Sequence, residues 1–256
     1  MKIIDLSVPL SVRCQERGKD STIPQIEYVD HKFGGRQMAE IFGCSPEDFP
    51  IPGCGWAFEI LTCGTHNGTH IDAPWHYGPV SGGKPSATIA EMPLEYCFGD
   101  GVVLRFTHKK AGEKIDVEDI QRELARMNYT LKPLDIVYVN TGWDKKWGTP
   151  DYFYDKPGLT RDATLWLIDQ GIKLMGTDSS GWDRTFKEQA KDFQRTGDRH
   201  YLWEGHFAGI EKPYYQIEKL ANLDLLPDFG FKTCCIPIKI EKAGAAWARP
   251  VAFLND

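Results

Sequence analysis

Between residues 101 and 176 the chain alternates apolar, β-prone runs with capped helical stretches, and no other feature restricts its fold as much. Gly101–Phe106 reads as a strand. Asp116 then serves as the N-cap of a helix over Val117–Met127, with Glu118 and Asp119 in its first turn. Asp135–Thr141 is an apolar run suited to burial on both faces. Thr160 opens a second helix that runs to Gln170 and stops at Gly171, and Ile172–Gly176 is a further buried strand. Strands joined through helices require crossover connections, so this part of the chain is α/β. Strand-like sequence also occurs at residues 2–9, Trp56–Cys63, Lys232–Ile240 and Val251–Leu254, which makes the expected sheet mixed. There is no repeat and no Ser- or Gly-rich linker, so residues 1–256 read as a single domain. From Ser11 to Gly55 the periodicity dissolves and only Arg36–Phe42 looks helical; this segment is expected to be a lid, a substrate wall or a partner-facing arm.

Charge and cysteine usage narrow the function. A net charge of −6 lacks the basic face that a nucleic-acid backbone needs. No apolar run approaches the roughly 20 residues of a membrane span, and the opening residues carry no signal-peptide pattern. Seven cysteines form no Cys-x-x-Cys pair, and the adjacent Cys234 and Cys235 lie in an apolar run where buried free thiols are expected. The expectation is a cytoplasmic protein acting on a small molecule.

The chemistry concentrates in Thr65-His66-Asn67-Gly68-Thr69-His70-Ile71-Asp72-Ala73-Pro74-Trp75-His76, where three histidines and a carboxylate fall within eleven residues. Imidazole and carboxylate suit Zn²⁺, Mn²⁺, Fe²⁺ or Co²⁺. Gly68 and Pro74 interrupt helix, so the stretch reads as a bent loop gathering its side chains about a point. His66, His70 and Asp72 supply the three protein donors of a catalytic site that keeps a position open for water. A second His or carboxylate from elsewhere would extend this to two ions, and His206 and Glu218, twelve residues apart, are candidates. Asp178, at a strand end, is placed to orient a ligand histidine. Trp75 and Trp143 are candidates for the wall of an apolar substrate pocket.

The same stretch resembles the signature of the cyclase family, His-x-Gly-Thr-His-x-Asp-x-Pro-x-His, at every fixed position. That family includes bacterial kynurenine formamidases and isatin hydrolases. Ile4-Asp5-Leu6-Ser7, Asp135-Ile136-Val137 with Thr141-Gly142-Trp143, and Ile217-Glu218-Lys219-Leu220 resemble its other motifs. The resemblance implies a swivelling β/β/α domain assembled as a homodimer or homotetramer. It implies that His66, His70 and Asp72 hold one metal, that Asp72 and Glu218 bridge to a second completed by His206, and that His76 is the general acid/base. The family's formamidases carry a Trp soon after the first strand, whereas Ser11–Gly55 is longer and has none, so a different substrate wall is expected.

The function expected from these residues is hydrolysis of a C–N amide bond, linear or cyclic, assisted by one or two divalent ions with Zn²⁺ foremost. Kynurenine formamidase activity is an alternative, set against the different substrate wall expected from Ser11–Gly55. A metal-dependent cyclase or lyase is the alternative from another class, and a non-catalytic metal-binding module is a third.

Overall fold

The computed structural model describes residues 1–12 and 23–254. Its strands are β1 (Lys2–Asp5), β2 (Gln25–Val29), β3 (Phe58–Thr62), β4 (His70–Asp72), β5 (Phe98–Arg105), β6 (Ile136–Asn140), β7 (Leu174–Thr177), β8 (Tyr215–Glu218), β9 (Phe231–Cys234), β10 (Ala245–Trp247) and β11 (Val251–Leu254). The principal helices are α1 (His31–Phe42), α2 (Pro74–Tyr77), α3 (Val117–Met127), α4 (Arg161–Asp169), α5 (Phe186–Thr196) and α6 (Glu204–Glu211). Nine of the strands form one sheet in the order β1-β11-β9-β5-β6-β7-β8-β4-β10.

The middle of that sheet, β5-β6-β7-β8, is parallel, and every pairing outside it is antiparallel. The expected βαβαβ core accounts for β5, β6 and β7; β8, which does not read as a strand in the sequence, adds a fourth parallel strand beside β7. Asp116 caps α3 with its carboxylate on the Asp119 amide, and Thr160 caps α4 on the Ala163 amide. Val102, Leu104, Val137, Val139 and Met175 face one layer with α3 and α4, while Val103, Ile136, Tyr138 and Leu174 face the other, so the parallel strands are apolar on both sides.

Three expectations are corrected. The run Lys232–Ile240 is strand only as far as Cys234; Pro237 has no N–H for a ladder and makes one isolated bridge to Ala248. The His-rich stretch is a bent loop only up to Thr69. His70 and Asp72 lie on β4, and Pro74, which reads as a helix breaker, instead occupies the first position of the one-turn helix α2 that carries His76.

The segment 11–55 is also more regular than its sequence indicates, although residues 13–22 lie outside the described residues. Residues 25–62 form an arm in which α1 sits between the two strands of the β2–β3 hairpin. Gly34-Gly35 belongs to the first turns of α1, where a β-carbon at Gly34 would collide with the Trp56 carbonyl. The glycines serve close packing there, not a turn. Among the described residues, no helix is long and apolar enough to cross a membrane.

Candidate metal centre

Sheet register builds the centre. In the antiparallel pair β4–β8, His70 lies opposite Glu218 and Asp72 opposite Gln216. Residues two apart on a strand share a face, so all four side chains project to the helix side while Ile71 and Ile217 point into the other layer. On the outer flank β10 sets Ala245 against Asp72, where a small side chain leaves room. His70, Asp72 and Gln216 are completely buried, and Glu218 nearly so.

The Asp72 carboxylate is the hub. Its Oδ1 lies 3.0 Å from His66 Nδ1 and 3.2 Å from His70 Nε2. Its Oδ2 lies 4.0 Å from His76 Nε2 and 3.8 Å from His206 Nε2. Two three-donor sets converge on it: His66, Asp72 and His76, and His70, Asp72 and Glu218. The donor set fits a divalent cation on one specific observation. His70 Nδ1 meets the Gly68 carbonyl at 2.9 Å and must donate there, so His70 Nε2 presents a lone pair. That lone pair faces Asp72 Oδ1, and both atoms are buried without a hydrogen-bond partner. Two acceptors buried against one another, each worth about 1–3 kcal/mol if left unsatisfied, call for a positive charge between them.

His206 is oriented by Asp183, a residue the sequence did not single out. One Asp183 oxygen accepts from His206 Nδ1; the other accepts from the Gly205 and His206 amides and so caps α6, whose own N-cap, Trp203, provides no side-chain bond. Asp178 does not play this part. Its carboxylate accepts from Asn140 Nδ2, from the Thr141 amide and hydroxyl and from the Gly142 amide, fixing the turn after β6. Lys156, buried, holds the loop that presents Asp183, donating to the Gly181 and Asp183 carbonyls, and burial pushes its pKa down to about 8.

Gln216 is the second residue missed. Its amide nitrogen lies 3.1 Å from Asp72 Oδ2, 2.9 Å from Glu218 Oε1 and 2.7 Å from His206 Nε2, while its oxygen accepts from the Tyr214 hydroxyl at 2.7 Å. It therefore stands at the point where Asp72, Glu218 and His206 converge, the place expected for a second ion. His206 joins neither of the three-donor sets found among the described residues.

The field of the centre is set by these carboxylates. Burial opposes ionisation of Asp72, yet the neighbouring imidazoles hold its carboxyl well below the usual range. Burial and the Asp72 charge oppose ionisation of Glu218 too, but His206 and Lys219 bring it down to about 2. Burial also lowers the pKa of His76, to about 4, so its ring is neutral at physiological pH. His66 and His76 form the open flank, with side chains 40% and 26% exposed. Their rings lie 4.1 Å apart. Trp203, in the left-handed backbone region, stacks on His206 at 4.3 Å and meets the His76 ring edge-on at 5.1 Å. Neither expected tryptophan takes this position. Trp75 is half exposed on α2, and Trp143 is buried under Lys146 in the turn after β6.

A family model described as "Putative cyclase" matches residues 4–184. The chain belongs to the cyclase family. The isatin hydrolase of Roseibium aggregatum is 24% identical over 249 residues, covering 84% of this chain and 81% of that protein. The kynurenine formamidase of Erythrobacter litoralis is 25% identical over 191 residues, covering 75% of this chain and 74% of the relative. Among solved structures, an isatin hydrolase bound to the product analogue thioisatinate superposes with a TM-score of 0.78 at 20% identity, covering 100% of this chain and 93% of that one. A potential metal-dependent hydrolase with cyclase activity gives a TM-score of 0.62 at 21% identity, covering 98% and 96%. The mixed α/β sheet is thus the family fold.

Proposed function

We propose that this cyclase-family protein is a metal-dependent hydrolase that opens a C–N amide bond, in a linear formamide or a cyclic amide. The observation that carries this reading is the buried, partnerless pair of His70 Nε2 and Asp72 Oδ1. His66, His70 and Asp72 would hold a divalent cation, with Glu218 completing the donors from β8. Once bound, such an ion polarises a carbonyl and acidifies water. Relatives named as isatin hydrolase and kynurenine formamidase support the amide as substrate class.

The residues around the ion divide the remaining work. His76 is neutral, borders the open flank and lies within 4.0 Å of Asp72, so its Nε2 is placed to take a proton from the attacking water and return it to the departing nitrogen. Asp183 holds His206 in one orientation. Gln216 donates to the carboxylates that a second ion would otherwise bridge, which favours one ion per chain. Nitrogen and oxygen donors in this mixture accept Zn²⁺ first, with Mn²⁺, Fe²⁺ and Co²⁺ as competitors. Free thiols at Cys44, Cys54, Cys63, Cys97, Cys234 and Cys235 fit a reducing, cytoplasmic setting.

Elemental analysis of the purified protein, followed by assays of apo and metal-restored samples on formanilides and cyclic imides in ¹⁸O-water, tests the reading. One equivalent of a divalent metal and label incorporated into the product acid are expected. Turnover without label would transfer the reaction to the cyclase or lyase class, and a metal-free, fully active protein would end the proposal.

A further inference from the structure

Lys219 follows Glu218 at the end of β8, and its backbone lies in the left-handed region with φ 60°. Glycine or asparagine is the residue such a conformation favours, because a β-carbon crowds the neighbouring carbonyl there. A lysine in that place is strained, and strain of this kind persists only where the surroundings over-determine it. At Lys219 they do. Its amide donates to the Ser179 carbonyl at 3.1 Å, and its carbonyl accepts from the Thr69 hydroxyl at 2.6 Å.

The side chain is buried as well, which is unusual for lysine and fixes a chain with many rotamers. Its Nζ donates to the His66 carbonyl at 2.9 Å and lies 3.8 Å from Glu218 Oε2. One residue therefore grips the loop before β4 at two points, with its carbonyl at Thr69 and its ammonium at His66. The Thr69 hydroxyl in turn accepts from the Val8 amide at 2.9 Å, which anchors the clasp beyond β1.

His66 is the donor that most needs such a hold. His70 and Asp72 are fixed by β4, which is paired on both sides, and Glu218 is fixed by β8. His66 precedes β4 by four residues, and its side chain is 40% exposed. Its Nδ1 must nonetheless stay within 3.0 Å of Asp72 Oδ1. Fastening the carbonyl of the same residue limits the swing of the ring. The charge of Lys219 is offset by Glu218 beside it, so its contribution to the ion is placement.

We infer that Lys219 is a positioning residue for metal binding, fixing through the His66 carbonyl the one donor among His66, His70, Asp72 and Glu218 that no strand holds. The inference rests on the proposal that these residues hold a divalent cation. Zn²⁺ affinity of the apo protein, measured by competition with a chromophoric chelator, tests it without any substrate. Lys219→Gly removes the ammonium and gives the backbone the residue it favours. Affinity should fall by about 10–100-fold while the apo protein melts no lower than the wild type. Lys219→Asn should do the same, and Lys219→Arg, which keeps a donor of similar reach, should recover most of the loss. A double-mutant cycle with His66→Ala identifies the route. Once the ring is gone, Lys219→Gly should change affinity by no more than about twofold. Unchanged or tighter Zn²⁺ binding in Lys219→Gly would overturn the inference, as would a full loss that persists in the His66→Ala background. Lower melting of both apo variants with affinity intact would make the lysine a structural tie only. A wild type that binds no divalent ion would instead overturn the metal-dependent reading itself, and this inference with it.

Discussion

The strand pair β4–β8 and the arm of residues 25–62 are close in sequence at one end, yet they treat polar and apolar side chains in opposite ways. On β4 and β8 the polar side chains are buried and held from several directions. Asp72 alone meets His66, His70 and Gln216 within 3.2 Å. On the arm most large apolar side chains are outside, and what is buried is small: Val29, Ala39, and the Gly34 and Gly35 backbone packed against Trp56 and Gly53. The first arrangement is costly unless a cation neutralises it, and the second is costly unless another surface covers it. The first region leaves buried polar atoms unsatisfied, and the second leaves apolar side chains in water.

Perturbing the hub should have the largest effect. Asp72→Ala removes the carboxylate common to both donor sets, so bound metal and amide hydrolysis should both be lost, as elemental analysis and turnover will report. Retention of a full equivalent of metal would place the ion elsewhere. Next comes His76→Ala, expected to keep its metal while kcat falls by about 10²–10⁴-fold. If that variant arrives without metal, His76 belongs to the coordination sphere.

Smaller changes sharpen the contrast. Asp183→Asn keeps the shape of the cap on α6 but weakens its hold on His206, and a loss of roughly 10–100-fold in activity or metal affinity is expected. Gln216→Glu replaces a donor amide with a further carboxylate at the point where Asp72, Glu218 and His206 meet. Metal stoichiometry should then rise from one toward two equivalents; an unchanged value would mean that the amide is not what limits occupancy. At the far end of the scale, Gly34→Ala drives a methyl into the Trp56 carbonyl, an overpacking worth about 1–3 kcal/mol. Hydrogen exchange should accelerate across residues 25–62 while metal content stays the same.

The parts of the fold legible in the sequence were those fixed by local chemistry. Asp116 and Thr160 announce their helices because an N-cap acts within three residues. The histidines of residues 66–76 announce a cluster of donors because they lie within eleven residues of one another, and the fold does gather them about Asp72. Gln216 and Asp183 were not legible, since their importance exists only after β4 and β8 have paired and α6 has docked. Asp178 and Asp183 both follow β7 as aspartates in a polar loop, and nothing local distinguishes the one that turns back to the Thr141 amide from the one that reaches His206. The first turns of α1 were not legible for the same reason: whether Gly34-Gly35 bends a chain or admits a neighbour depends on what lies opposite.

Gln216 and Asp72 touch across 144 positions of sequence. A chain emerging from the ribosome must therefore expose His66, His70 and His76 long before Glu218 is synthesised, and the donors can come together only after β8 has been made. Because residues alternate between layers, a β4 misplaced by one position would deliver Ile71 where Asp72 belongs and bury the carboxylate among hydrocarbons. Only molecules whose strands have aligned correctly bring His70, Asp72, Gln216 and Glu218 to one face.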